Sequence, residues 1–348
     1  MDTNVQSGPP ADTVGLSQDR PGRHLMRRII IDTDPGIDDA IALLLLCAAD
    51  SVRIDGVTTV GGNVDLDLVT ANTLTVLELA GRTDVPVYPG AGRSSTDGRE
   101  PSADVHGVDG LGGLGRTAAA MRARDTPAVD FLTAHAAAHP GEVTLLPIGP
   151  LTNIAAAVEA DPAFVENVAS VVLMGGAEGA GNMTPSAEFN LWYDPRAADV
   201  VFSAGFADLI MVGLDATRQA DLAPGVGELL RLLDTPVSRF IHAITRSYVD
   251  VAFAAHGRLA CDLHDPLAAA FLLDPAVIAT VPADVSITVD GEHEGRSVVT
   301  RTAGVPGATA NARVATGADT ARFYRVLLTT LFPESVDVIE RVVAHEYR

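Results

Sequence analysis

The chain contains no lysine, because all 24 of its basic residues are arginine. Chemistry that depends on a lysine Schiff base or on a phosphate-binding lysine is therefore excluded. Only two cysteines occur, Cys47 and Cys261, which is too few for a disulfide framework or a thiolate zinc site. No apolar run approaches the ~20 residues that are needed to span a bilayer. These absences predict a cytoplasmic protein that has no membrane partner.

Basic charge is also scarce, since 45 acidic residues face 24 basic ones and the net charge is -21. Such an excess of negative charge disfavours nucleic acid and anionic membranes as partners, and it favours a small polar or neutral ligand. Residues 1–25 lack the apolar core of a signal peptide and are rich in Pro, Gly and Asp. They are predicted to form a disordered extension, and residues 26–348 are predicted to form one domain.

Short β-branched runs alternate along the chain with Ala- and Leu-rich runs of helical pattern. The predicted strands are 28–33, 52–60, 143–148, 169–175 and 208–213. The predicted helices between them are 38–49, 66–81, 127–138, 151–160 and 195–204. This alternation predicts a single-domain α/β fold whose doubly wound, mainly parallel sheet is flanked by helices. A further helical stretch over about 226–255 and strand-like segments near 284–300 are predicted to join the same domain.

Four aspartates are crowded into positions 32–39, directly after the first predicted strand. Like charges ~4 Å apart repel by ~1 kcal/mol in bulk water and by more near a protein surface, so the crowding predicts a bound cation or substrate. Asp38 and Asp39 could also cap the following helix, but capping does not explain Asp32 and Asp34. A calcium EF-hand is excluded, because the loop lacks the sixth-position Gly and the closing Glu.

Each of the other predicted strands is also followed by a polar or glycine-rich loop. The loops are 61–63, 149–153, 175–182 and 214–219. Because the carboxyl ends of parallel strands meet at one edge of a sheet, these loops are expected to form one site with the aspartates. Asn182, Glu188 and Asn190 lie close together around Phe189 and could either recognise hydroxyl groups or satisfy backbone groups. Asp194, before a proline, is predicted to be an ordinary helix cap.

Two histidines stand in contexts that allow a chemical role. His264 and Asp265 precede an apolar helix, where they could be a surface histidine and a cap, or a proton donor and a metal ligand. His106 lies in a Gly-rich loop and gives a weaker signal. A histidine with a pKa near neutrality would suit protonation of a leaving group.

With these motifs assembled, the sequence resembles the inosine-uridine-preferring nucleoside hydrolase family from about Ile29 to about Phe323. The family's signature Asp-Thr-Asp-Pro-Gly-x-Asp-Asp is complete at 32–39. Six further motifs follow in the family's order: GGN at 61–63, GPLTNIA at 149–155, MGGA at 174–177, AEFN at 187–190, GLD at 213–215 and HDPLA at 264–268. The resemblance implies a nucleoside hydrolase-like fold.

The resemblance also implies a ligand set and residue roles. It implies a Ca²⁺ ion held by Asp34, Asp39, Asp265 and the main-chain carbonyl of Ile148. It implies ribose contacts from Asp38, Asn63, Asn182, Glu188 and Asn190, and further substrate contacts from His106, Met174, Phe189 and Tyr248. Asp34 would be the general base for a water at the calcium ion, and His264 the acid near the departing base. A homodimer or homotetramer is expected by analogy.

The implied reaction is hydrolysis of the N-glycosidic bond of a ribonucleoside, of inosine or uridine type, to ribose and free base. Breaking this bond builds positive charge on the sugar, which a ring of carboxylates stabilises. Two alternatives stay open at this point. They are a Mg²⁺-dependent phosphatase with an acidic site, and a nucleoside-binding protein without catalysis.

Overall fold

The computed structural model describes residues 26–95, 99, 103–114, 119–257 and 261–347. The predicted disorder of residues 1–25 lies outside these residues. The prediction that 26–348 form one domain stays a prediction.

A nine-stranded sheet forms the centre of the fold, with the order β3-β2-β1-β4-β5-β6-β9-β7-β8. The strands are β1 (Arg27–Thr33), β2 (Val52–Thr59), β3 (Val87–Pro89), β4 (Val143–Pro147), β5 (Val168–Met174), β6 (Leu209–Val212), β7 (Ile278–Ile287), β8 (Ser297–Arg301) and β9 (Ala312–Ala318). Only β7 runs antiparallel to its neighbours, β8 and β9. The predicted mainly parallel α/β sheet is therefore confirmed.

Helices cover both faces of the sheet. Those before β6 are α1 (Ile37–Ala48), α2 (Leu66–Leu79), α3 (Ala103–His106), α4 (Ala128–Ala138), α5 (Thr152–Ala160), α6 (Phe164–Asn167), α7 (Phe189–Tyr193) and α8 (Pro195–Ser203). Those after it are α9 (Leu214–Thr217), α10 (Pro224–Leu233), α11 (Pro236–His256), α12 (His264–Leu273), α13 (Thr320–Leu331) and α14 (Val336–Glu346). Two short 3₁₀ turns, Pro275–Val277 and Pro333–Ser335, complete the described elements. No helix in the described part of the chain is both long and apolar enough to cross a bilayer.

The five predicted strands and the five helices between them are present, with ends that differ by two residues at most. The helical stretch predicted over about 226–255 is present, and it is divided into two helices, α10 and α11. Asp234 adopts a left-handed conformation with φ of 52° after α10. Thr235 then caps α11, and Pro236 can begin a helix but cannot continue one.

The strand-like segments near 284–300 are β7 and β8, although β7 begins earlier, at Ile278. Two strands were not predicted. β3 has only three residues, one of them a proline, and β9 is built largely from small residues. Neither carries the run of large β-branched residues that identified the other strands.

The order of the strands explains where the site forms. From β1 the chain builds the sheet outwards through β2 to β3, and from β4 it builds in the opposite direction. β1 and β4 therefore flank a topological switch point, where ligands bind in open α/β sheets. β1 is buried on both faces, since Ile29 and Ile31 pack into one core cluster and Ile30 into the other. A strand held this firmly gives the loop after it a fixed starting point.

Candidate active site

Asp34 lies just beyond β1 and is buried. Its Oδ2 accepts a hydrogen bond from the backbone N–H of Asn63 at 2.8 Å, and its main-chain oxygen accepts one from the Asn63 side chain at 3.1 Å. Its Oδ1 is buried and has no hydrogen-bond partner among the described residues. Two glycines allow this arrangement: a Cβ at Gly62 would lie 2.1 Å from Oδ2, and one at Gly149 would lie 2.6 Å from Oδ1.

Asp39 stands in the first turn of α1 and is fixed by donors on the preceding loop. Its Oδ1 accepts the Thr33 hydroxyl at 2.6 Å, and its Oδ2 accepts the Gly36 N–H at 3.0 Å. The side chain of Asn63 lies 3.3 Å from the same Oδ2. Asn63 thus connects Asp39 to Asp34, and the capping role expected of Asp39 is present together with this connection.

Three carboxylates form an acidic cluster: Asp38, Asp39 and Asp265. One oxygen from each lies within 4.8 Å of the others, and all three residues are buried. Packing of α1 against α12 brings them together. At this separation each pair of full charges would repel by roughly 3 kcal/mol at an effective dielectric constant of about 20.

Burial, together with the charge of Asp39, raises the pKa of Asp38 to about 7. Burial also raises the pKa of Asp265 and of Asp34 well above the ordinary value, helped by the neighbouring carboxylates. Within the part of the chain that the structure describes, no arginine or histidine forms an ion pair with any of these aspartates. A hard divalent cation is the kind of ligand that such an oxygen-rich, uncompensated group fits.

The ligand set that the resemblance implies overlaps this cluster without matching it. The cluster contains Asp38, which was expected to bind ribose, and not Asp34, which was expected to bind the ion. Asp34 is nevertheless adjacent, because its backbone N–H lies 3.3 Å from Asp39 Oδ1. The main-chain oxygen of Ile148 accepts a hydrogen bond from the Asn190 side chain at 3.0 Å.

The expected ribose residues of the 182–190 loop are tied to backbone groups. Glu188 caps α7: its Oε1 accepts the Asn190 N–H, and its Oε2 accepts the N–H groups of Gly176 and Leu191. Burial raises the pKa of Glu188 to about 7. Asn182 is exposed, and its side-chain oxygen accepts the N–H of half-buried Phe189 at 2.9 Å. These side chains therefore do satisfy backbone N–H groups, and their recognition of substrate hydroxyl groups stays a prediction.

Asn190 connects the ends of two strands, because its amide also donates to the main-chain oxygen of Met174 at 3.1 Å. Met174 is the last residue of β5 and is buried. The expected contacts Ile148, Met174 and Asn190 thus lie together at the carboxyl edge of the sheet.

His106 and Tyr248 meet at another side of the site. The Nδ1 of His106 accepts the backbone N–H of Ile37 at 3.0 Å, and the His106 ring lies 5.6 Å from the ring of half-buried Tyr248. Burial, together with the nearby His264, lowers the pKa of His106 to about 4. The structure therefore brings His106 next to the start of α1, where Gly36 leaves room for the ring.

His264 is the first residue of α12, and its Nδ1 lies 2.7 Å from the hydroxyl oxygen of Thr217. Burial lowers its pKa to about 4, and Arg218 contributes in the same direction. This pKa lies below the near-neutral value that was expected of a leaving-group acid, and the role of His264 as that acid stays a prediction.

Thr58 and Asn153, which help to hold the site, were not singled out from the sequence. Asp32 Oδ1 accepts the hydroxyl of Thr58 at 2.5 Å and the amide of Asn153 at 2.8 Å. Asn153 also accepts the N–H of Ala91 at 2.9 Å, so it connects the start of α5 to the end of β1 and to the loop after β3. Asp194 is the predicted helix cap, and it also accepts the hydroxyls of Ser95 and Thr152. The motif GPLTN contains Thr152 and Asn153, but their partners are remote in sequence.

The model of one protein family, described as inosine-uridine preferring nucleoside hydrolase, matches residues 29–325. The chain belongs to this family. It is 37% identical over 313 residues to the pyrimidine-specific ribonucleoside hydrolase RihA of Shewanella woodyi. The aligned region covers 88% of this chain and 98% of that protein. Two solved structures are also similar. A plant nucleoside hydrolase, PpNRh1, gives a TM-score of 0.82 at 35% identity, covering 88% of this chain and 99% of that one.

The second structure is the purine-preferring ribonucleoside hydrolase of Gardnerella vaginalis. It gives a TM-score of 0.83 at 32% identity and covers 90% of this chain and 100% of that one. The predicted family, fold and reaction class are therefore confirmed: the chain is an enzyme of the class that hydrolyses ribonucleosides to ribose and base. Neither the phosphatase nor the non-catalytic binding protein is favoured.

Proposed function

We propose that this protein is a calcium-dependent hydrolase of ribonucleosides in which Asp34 activates the attacking water. The observation that carries the proposal is Oδ1 of Asp34, which is buried beside the acidic cluster and has no hydrogen-bond partner among the described residues. A buried carboxylate oxygen without a donor is costly unless a ligand supplies one.

The residues that would hold the ion are Asp34, Asp39 and Asp265, with the main-chain oxygen of Ile148. Their donor atoms are all oxygens, and a mixture of carboxylates and a main-chain carbonyl suits calcium. Asp38 lies in the same cluster and would bind either the ion or a ribose hydroxyl next to it. When bound, the ion would lower the pKa of a nearby water and orient the ribose hydroxyls.

In the proposed reaction, Asp34 accepts a proton from water as the water oxygen bonds to C1′ of the ribose. The bond between C1′ and the base nitrogen breaks, and the base leaves with the electron pair. In the free protein, burial raises the pKa of Asp34 well above the ordinary value, and a bound cation would oppose this shift and keep the carboxylate ionised to accept the proton. The positive charge that develops on the sugar is stabilised by the surrounding carboxylates, with Asn63, Asn182, Glu188 and Asn190 as the proposed ribose contacts.

His106, His264 and Tyr248 are proposed to face the base. The named specificity of the relatives differs, since one is called pyrimidine-specific and another purine-preferring. We therefore propose that both uridine and inosine are substrates. A homodimer or homotetramer is proposed from the resemblance, and a cytoplasmic location from Cys47 and Cys261, which are both free thiols.

The test begins with removal of the metal. Exhaustive chelation is expected to abolish ribose release from uridine and inosine, and added Ca²⁺ is expected to restore it. A reducing-sugar assay over inosine, uridine, cytidine, adenosine and guanosine then gives the base preference. Full activity in the metal-free protein would overturn the proposal.

Asp34→Asn tests whether Asp34 is the general base, because the amide keeps the shape of the carboxylate but does not take a proton from water. At saturating calcium, turnover is expected to fall by ~10²- to 10⁴-fold, the usual contribution of a general base. Asp67→Asn, which changes an exposed carboxylate on α2, is the matched control and should behave as wild type. A variant that is saturated with calcium and turns over nearly as fast as wild type would refute the assignment.

A further inference from the structure

Thr217 contacts His264, one of the two histidines of the site. It is the last residue of α9 and has no solvent-exposed surface. Its hydroxyl oxygen lies 2.7 Å from the Nδ1 of His264. Among the described residues the hydroxyl has no other hydrogen-bond partner.

This isolation fixes the direction of the hydrogen bond. If Nδ1 of His264 carried the proton, the buried Thr217 O–H would have no acceptor among the described residues, and a buried donor without an acceptor is unfavourable. The hydroxyl therefore donates to Nδ1, and the proton of the neutral His264 ring is on Nε2.

The tautomer of His106 is also fixed, in this case by a backbone hydrogen bond. A backbone N–H can only donate, so the bond from Ile37 to Nδ1 of His106 requires that this nitrogen is unprotonated. The neutral ring again carries its proton on Nε2. Neither Nε2 has a protein partner in the described part of the chain, so both N–H groups are left for a ligand.

We propose that Thr217 is a positioning residue that holds His264 as the Nε2–H tautomer, so that His264 and His106 present two imidazole N–H donors to acceptor atoms of the nucleobase. The proposal rests on the proposed function. It also defines how His264 assists: its Nε2–H donates a hydrogen bond to the departing base. The base takes the electron pair of the broken bond, and the hydrogen bond stabilises the negative charge that develops on it.

The experiment compares Thr217→Val, which keeps the size but removes the hydroxyl, with Thr217→Ser, which keeps the hydroxyl. Thr73→Val is the matched control, since it removes a buried hydroxyl that only donates within its own helix, to Val69. Each calcium-loaded protein is assayed with uridine or inosine and with p-nitrophenyl riboside, whose leaving group needs no assistance. Thr217→Val should lower kcat for the nucleosides by ~10-fold or more and for p-nitrophenyl riboside by less than ~3-fold.

Thr217→Ser should restore most of the nucleoside rate, and Thr73→Val should leave both rates unchanged. An equal loss on both substrates in Thr217→Val, or no rescue by serine, would overturn the proposal. Imidazole ¹⁵N NMR of the wild type decides the tautomer without any turnover, with His264→Gln used to assign the signal. An Nδ1–H tautomer for His264 would overturn the proposal even if Thr217→Val does not fold. Failure of the wild type to release ribose would instead count against the proposed function.

Discussion

Gly62→Ala is predicted to displace the Asp34 carboxylate and so lower activity, although Gly62 contributes no side chain to the site. The new Cβ would lie 2.1 Å from Oδ2 of Asp34, which is too close for two non-bonded atoms, and 3.0 Å from Pro150, which is a tight contact. Since the position of the Cβ is fixed by the backbone, the Asp34 carboxylate must turn away. It then loses the 2.8 Å hydrogen bond from the Asn63 N–H.

A hydrogen bond to a charged group contributes about 1.5–3 kcal/mol, and each 1.36 kcal/mol corresponds to a factor of ten. Turnover of uridine or inosine is therefore expected to fall by ~10- to ~150-fold, and calcium affinity should fall with it. Gly92→Ala is the matched control on a neighbouring loop, because its Cβ would meet only Leu66 at an ordinary 3.7 Å. Turnover and calcium affinity are measured by a reducing-sugar assay and by isothermal titration calorimetry. Wild-type values for both in Gly62→Ala would refute the reasoning.

Two further predictions concern stability. In chelated protein, the raised pKa values of Asp38, Asp39 and Asp265 mean that the folded state keeps protons that the unfolded state has lost, so the melting temperature should fall as pH rises from about 4 to about 7. The gain in melting temperature on adding Ca²⁺ should grow over the same range, and calorimetry showing a gain that does not change with pH would contradict this. A chain that begins at Met26 should keep its melting temperature and turnover, and a large loss of either would show that residues 1–25 contribute to the fold or the site.

Local patterns in the sequence were sufficient for the central elements of the fold. β1 contains a run of isoleucines that is buried on both faces, and α1 is apolar apart from Asp38 and Asp39 in its first turn, so both are specified by short-range patterning. β9 was missed because its place depends on pairing with β6 and β7, which are remote in sequence. The break at Asp234 was missed because a turn of a few residues hardly changes the helical periodicity on either side.

The residues of the site were predictable where a cluster of charges or a motif identifies them. They were less predictable where contacts between remote parts of the chain determine which residues meet. The crowded aspartates at 32–39 marked the acidic cluster, but no pattern indicates that Asp38 rather than Asp34 shares it with Asp265. The Thr217 hydroxyl gives no sequence signal, because its partner His264 is 47 residues away. The lowered pKa of His264 is likewise a product of burial, which the sequence does not state.

The protein groups that donate hydrogen bonds to the site carboxylates are uncharged, and this has a functional consequence. Asp39 is held by the Thr33 hydroxyl, Asp34 by Asn63, and Asp32 by Thr58 and Asn153. Hydroxyl and amide groups orient a carboxylate without neutralising it, whereas an arginine in the same place would cancel its charge. The negative potential therefore stays available for a cation and for the positive charge that forms on ribose. In exchange, the free protein carries several buried carboxylates that repel one another, which is why its stability is expected to depend on the ion.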